Sequence, residues 1–146
     1  LSRGLGDVYK RQNISVGRLA SRVSLILKGK NKPQYSPNLP VGDGVIIINT
    51  DKVRFSGNKT TDKKYYKHTG HPGGIKEITP EKLKEKNKSD DIIKKAIKGM
   101  LPNSPLFRDL MKNNLKIYKD ANHPHDSQNP KLLDFKSMNR KNEVNV

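Results

Sequence analysis

The stretch Gly42-Asp43-Gly44-Val45-Ile46-Ile47-Ile48-Asn49 decides the fold. Gly42-Asp43-Gly44 announces a turn, and four consecutive β-branched residues follow it. Neighbours on a strand point to opposite faces. An unbroken apolar run must therefore be covered on both sides, which is the pattern of a parallel sheet between helix layers. Asp51 to Ser56 alternates more and predicts a second short strand ending at Gly57-Asn58.

Upstream, Val16, Leu19, Ala20, Val23, Ile26 and Leu27 recur at three- and four-residue spacings, so Ile14 to Gly29 is expected to be a helix with one apolar face. Ser15 suits its N-cap and Gly29 its left-handed C′ position. The basic turn Lys28 to Pro33 leads to Tyr35-Ser36-Pro37, where two prolines require an extended loop. Downstream, Thr79-Pro80-Glu81 is a helix start with a hydroxyl cap, a first-position proline and an acid at the positive dipole end. Ser89-Asp90-Asp91 opens another helix, with Ile92, Ile93, Ala96, Ile97 and Met100 inward. Ser104-Pro105 opens a third, with Leu106, Phe107, Leu110 and Met111 inward, broken at Asn113-Asn114. Leu115 to Tyr118 predicts the last strand.

Helix, strand, helices and strand make an α/β layered domain around a small parallel sheet. Such a sheet needs a further strand before the first helix. There Leu1 to Gln12 sustains no period, and Val8-Tyr9 offers two strand residues at best. The expected organisation is a foreign or disordered leader over 1–12, one domain over 13–134 and a disordered extension over 135–146.

The longest excursion from the sheet, Asn58 to Lys76, is the most distinctive segment chemically. It gathers Lys59, Lys63, Lys64, Lys67 and Lys76 around Tyr65, Tyr66, His68, His71 and three glycines. Cations neutralise phosphates, rings stack on bases or sugars, and glycines admit a phosphate close to the backbone. A lysine-rich run is more often a solvated face, and Gly-Gly more often a turn, so the rest of the chain must decide.

Composition decides in favour of a polyanion. The 146 residues carry 30 Lys+Arg against 14 Asp+Glu, a formal net charge of +16 and a pI near 10.1. That exceeds the pI of about 9 that marks nucleic-acid-binding domains. Anionic membrane competes as a partner, but no apolar run approaches the roughly 20 residues of a spanning helix. Only 32% of residues are hydrophobic and none is Trp, so the core is small. The absence of cysteine excludes disulfides, thiolate catalysis and Cys-ligated zinc, and fits a reducing compartment.

Catalytic and metal chemistry find little support. His68 and His71 stand three apart and His123 and His125 two apart, but the acids nearest the first pair, Asp62 and Glu77, are isolated, so ligand count and type both fail for zinc. Thr69 to Gly74 lacks the Gly-Lys-Ser/Thr ending of a phosphate-gripping loop, and it does not follow a first strand as a dinucleotide fingerprint must. Asp43, Asp51 and Asp62 are turn residues, and Ser36 has no activating neighbour. Further cations, Lys28, Lys30, Lys32, Lys98 and Arg108, would widen a footprint for folded RNA, since no helix offers a contiguous base-reading face.

A set of motifs then carries a family likeness. Gly17-Arg18-Leu19-Ala20-Ser21, Lys28-Gly29-Lys30-Asn31-Lys32 with Tyr35 and Pro37, and Gly42-Asp43 before Val45–Asn49 come first. Tyr65-Tyr66, His68-Thr69-Gly70-His71, Gly73-Gly74-Ile75-Lys76, Ala96 to Pro102, Leu115 to Tyr118 and His123-Pro124-His125 follow in order. Over about Ile14 to Asp134 the chain resembles the bacterial form of the L-thirteen family of large-subunit ribosomal proteins. The resemblance implies a structural protein that binds large-subunit ribosomal RNA directly and acts early in subunit assembly beside neighbouring ribosomal proteins. It also implies an α/β/α fold with a four-stranded parallel sheet, cytoplasmic ribosomes, and no catalysis, metal, cofactor or small-molecule substrate. Gly6 to Gln12 departs from the family's aromatic-aliphatic first strand.

The expected RNA contacts are Arg18, Lys28, Lys30, Lys32, Tyr35, Lys59, Lys63, Lys64, Tyr65, Tyr66, Lys67, His68, His71, Lys76, Lys98 and Arg108. Tyr65 or Tyr66 has a second reading, as a cap on the domain's own core. Two rival functions stand beside this one. One is an RNA-binding translational regulator acting off the ribosome. The other is a phosphate-processing enzyme dependent on Asp43, Asp62 or His71.

Overall fold

A parallel sheet in the order β5-β2-β1-β6 organises the molecule. The structure, a computed structural model, describes the backbone of residues 5–9 and all of residues 14–133. Its sheet strands are β1 (Leu5–Tyr9), β2 (Gly44–Ile47), β5 (Leu115–Ile117) and β6 (Lys131–Leu133). The helices are α1 (Val16–Lys28), the single turn α2 (Lys59–Asp62), α3 (Pro80–Glu85), α4 (Ser89–Met100) and α5 (Pro105–Asn114). A separate antiparallel pair, β3 (Tyr65–His68) and β4 (Ile75–Ile78), lies between α2 and α3.

All four residues of β2 are buried, as an unalternating apolar run requires. Val45 and Ile47 join the main core, with Leu19, Val23 and Leu27 of α1, Ile93 and Ile97 of α4, and Leu110 of α5. Ile46 and Ile48 form a second cluster with Tyr118. Parallel neighbours need crossovers, and the helices supply them: α1 between β1 and β2, then α4 and α5 between β2 and β5. The expected α/β class with a small parallel sheet is what forms. Burial of each isoleucine contributes at most about 1.5–3 kcal/mol.

Local signals explain the joints. Gly29 ends α1 at φ 76, its N–H donating to the Ile26 carbonyl while that of Lys30 donates to Leu25. The chain then returns so closely that a Cβ on Gly42 would overlap the Leu27 carbonyl oxygen. Thr79 caps α3, its hydroxyl accepting from the Lys82 N–H at 3.5 Å, with Pro80 behind it. Ser15 occupies the N-cap position of α1 without a side-chain hydrogen bond.

Four expectations are corrected. The leader was expected to sustain at most two strand residues, yet Leu5–Tyr9 forms β1, paired to β2 on one side and β6 on the other. An inner parallel strand draws its ladder from both neighbours, so register outweighs a weak local pattern. Instead of a strand over Asp51 to Ser56 there is a 3₁₀ turn, Thr50–Lys52, and one bridge from Arg54 to Ser15. Thr50 is buried there, its hydroxyl donating to the Asp90 carboxylate at 2.8 Å, which holds the segment against α4. Finally, α5 runs through Asn114, and Leu115–Ile117 is not the last strand, because β6 follows it and pairs with β1. The other leader residues and the 135–146 extension lie outside the described residues.

Candidate nucleic-acid interface

The basic excursion folds into a hairpin, and its register sorts the side chains. Tyr65 pairs with Ile78, Tyr66 with Glu77, Lys67 with Lys76 and His68 with Ile75. Directly opposed residues share a face, so Tyr65, Ile78, Lys67 and Lys76 lie on one side and Tyr66, Glu77, His68 and Ile75 on the other. At the tip, Gly70 and Gly73 take positive φ values of 89 and 71. The Gly70 N–H donates to His68 Nδ1 at 2.9 Å, which fixes that ring at the turn.

The two tyrosines part company. Tyr65 packs against the main core, and burial pushes its phenol above the ordinary value. Its ring lies under Lys63 Nζ at 5.3 Å and Lys95 Nζ at 4.5 Å from the centroid. Tyr66 is 64% exposed and Ile75 62% exposed. With exposed His68, they make an aromatic and apolar face with nothing of the described protein over it. On the opposite face, Lys67 and Lys76 are exposed directly across from one another, and among the described residues neither has a carboxylate partner. Like charges in that position repel. The arrangement is cheaper when an anion lies between them.

The other expected residues divide between solvent and scaffold. Lys64 is bound to Glu77 at 2.9 Å, and that hydrogen bond and charge hold its ammonium above the usual lysine value. Lys63 also lies 5.7 Å from the Phe55 ring centroid, and Lys59 reaches the Ser56 hydroxyl at 3.5 Å. Lys32 is built into the protein, donating to the Asp43 carboxylate at 2.6 Å and the Val41 carbonyl at 3.1 Å. Lys28 likewise donates to the Met100 carbonyl at the end of α4 at 3.0 Å. Desolvation, then the charge of Lys30, lowers its pKa. Lys30 sits over the Tyr35 ring at 5.7 Å. Arg18 and His71 are exposed, and Lys98 and Arg108 line a cavity beside α5.

Lys95 of α4 is not among the expected contacts, although its ammonium reaches the Tyr65 ring. Its i,i+4 neighbours give no hint of a ring from another element. His123 and His125 gather with Tyr118, whose hydroxyl lies 2.7 Å from His125 Nε2. Among the described residues no three potential metal ligands cluster, and no helix is long and apolar enough to cross a membrane.

A small parallel α/β core carrying a cationic, aromatic-bearing hairpin defines a basic protein suited to a ribose-phosphate polymer. The chain belongs to the Ribosomal protein L13 family, whose model matches residues 8–124. It is 49% identical over 135 residues to the large ribosomal subunit protein uL13 of Methylobacterium nodulans, covering 92% of this chain and 88% of that one. The protein of the same name from Brucella canis is 50% identical over 135 residues, 92% of this chain and 87% of the relative. That of Neorickettsia sennetsu is 50% identical over 127 residues, 87% and 83% of the two chains. The family is structural and not enzymatic.

Proposed function

We propose that this chain is a structural constituent of the large subunit of the cytoplasmic ribosome, binding large-subunit ribosomal RNA and supporting early subunit assembly. One observation carries the reading: family membership spans nearly the whole domain, with relatives near 50% identity named for that subunit. The hairpin supplies the mechanism. Lys67 and Lys76 take phosphates, releasing counterions, while Tyr66 and His68 offer rings to unstacked bases. Lys59, Lys63, Lys64, His71, Arg18, Lys30 and Arg108 extend the contact, and Tyr65 anchors the hairpin to the core. Lys28, Lys32 and Tyr35 support the loop after α1.

Strand β1 and residues 14–133 act as one domain, and other large-subunit proteins are its neighbours. A three-layer α/β/α arrangement is supported by Ile46 and Ile48, as buried as Val45 and Ile47 on the helical side. The test is sedimentation of tagged protein with ribosomal subunits through a gradient. Wild type is expected in the large-subunit peak, with the Lys67→Ala, Lys76→Ala double variant shifted toward the top. Wild type remaining at the top at low and moderate salt overturns the reading.

A further inference from the structure

Between α4 and α5 lies a pocket of about 590 Å³. Leu101, Phe107 and Met111 form its apolar floor, and Lys94, Lys98, Arg108 and Lys112 stand at its rim. No carboxylate is among its lining residues. Pockets of roughly 300–1,000 Å³ enclose single small units and do not cradle a duplex. Four cations around an apolar, aromatic floor match a group that is flat and apolar at its centre and anionic at its ends. A nucleotide turned out of its stack has that form, since its base leaves water while its flanking phosphates stay charged. An acidic protein segment would satisfy the rim but has no need of an apolar, aromatic floor.

We infer that this pocket receives the base and ribose of one nucleotide extruded from the ribosomal RNA, its flanking phosphates held by Lys98, Arg108 and their neighbours. The inference rests on the RNA-binding reading above and adds a second contact built on different elements from the hairpin. Each rim cation that meets a phosphate contributes to the salt dependence of binding. A base seated on an apolar floor contributes affinity that salt does not remove.

The experiment irradiates the full chain bound to deproteinised large-subunit RNA at short ultraviolet wavelength and maps nucleotide adducts by mass spectrometry. Adducts are expected on two peptides, one from the hairpin and one within Leu101–Met111. Asn103, exposed at the rim, gives the control pair. Asn103→Glu should abolish the second adduct and weaken binding about tenfold, the share of one stacked base, while Asn103→Gln leaves both intact. Adducts confined to the hairpin, with normal RNA capture, overturn the pocket and leave the ribosomal reading standing. Capture of no ribosomal RNA at all overturns that reading and the pocket with it. In whole subunits, a protein cross-link from Leu101–Met111 without an RNA adduct overturns the nucleotide in favour of an acidic protein neighbour.

Discussion

Gly42 is the residue whose substitution should be felt most for its size. A Cβ there would meet the Leu27 carbonyl, which belongs to the backbone of α1 and cannot swing aside. Gly42→Ala is expected to cost about 1–3 kcal/mol in chemical denaturation, the usual penalty of overpacking. Tyr65 carries the opposite expectation. Its hydroxyl is buried without a hydrogen-bond partner, so Tyr65→Phe should leave stability unchanged or raise it by about 1 kcal/mol. A phenol raised in the folded state stabilises below its ordinary value of 10.0 and loses that contribution as pH climbs through the raised value. The wild type should therefore lose more stability above pH 10 than Tyr65→Phe, measured by denaturant titration at each pH. Sequence alone left the tyrosines interchangeable, since both neighbour lysines and both stand in one run. Only the β3–β4 register sends one inward and the other out.

At the scale of elements, the hairpin joins a stability cost to a binding gain. The Lys67–Lys76 pair repels in the absence of RNA, so replacing both by Ala should stabilise the unbound protein by up to about 1 kcal/mol. The same change should weaken RNA binding and lower the slope of log K against log[salt] by about 1.4–1.8, from two lost phosphate contacts. Thermal melts and filter binding read the two signs separately, and loss of both stability and binding would assign the lysines to the fold. The helices were legible in the sequence because three- and four-residue spacing and caps such as Thr79 are local signals. The hairpin was not, because its strands carry Tyr, Lys, His and Glu without apolar alternation. In the sequence alone, that segment is a loop with the right chemistry and no register.

For the whole molecule, a formal charge of +16 acts on folding and binding with opposite signs. Raising ionic strength from about 0.01 to 0.15 M shortens the screening length from about 30 to 8 Å. The melting temperature of the unbound chain should rise over that range while its affinity for RNA falls. A melting temperature unmoved by salt would mean that the cations are already neutralised within the fold. The polyanion partner was legible from composition, and β2 announced the parallel sheet. The sheet's order was not legible, because β1 has a weak local pattern, β6 is only three residues long, and both gain their form from pairing at a distance. That pairing has a consequence in the cell. β1 emerges first during synthesis, yet its β6 neighbour, Asp7 beside Lys131 and Val8 beside Leu132, is made more than a hundred residues later. At roughly 5–20 residues per second that delay is on the order of ten seconds. Throughout it one side of β1 is an open template for any stray strand. Shelter of that side is complete only once β6 has been made and paired.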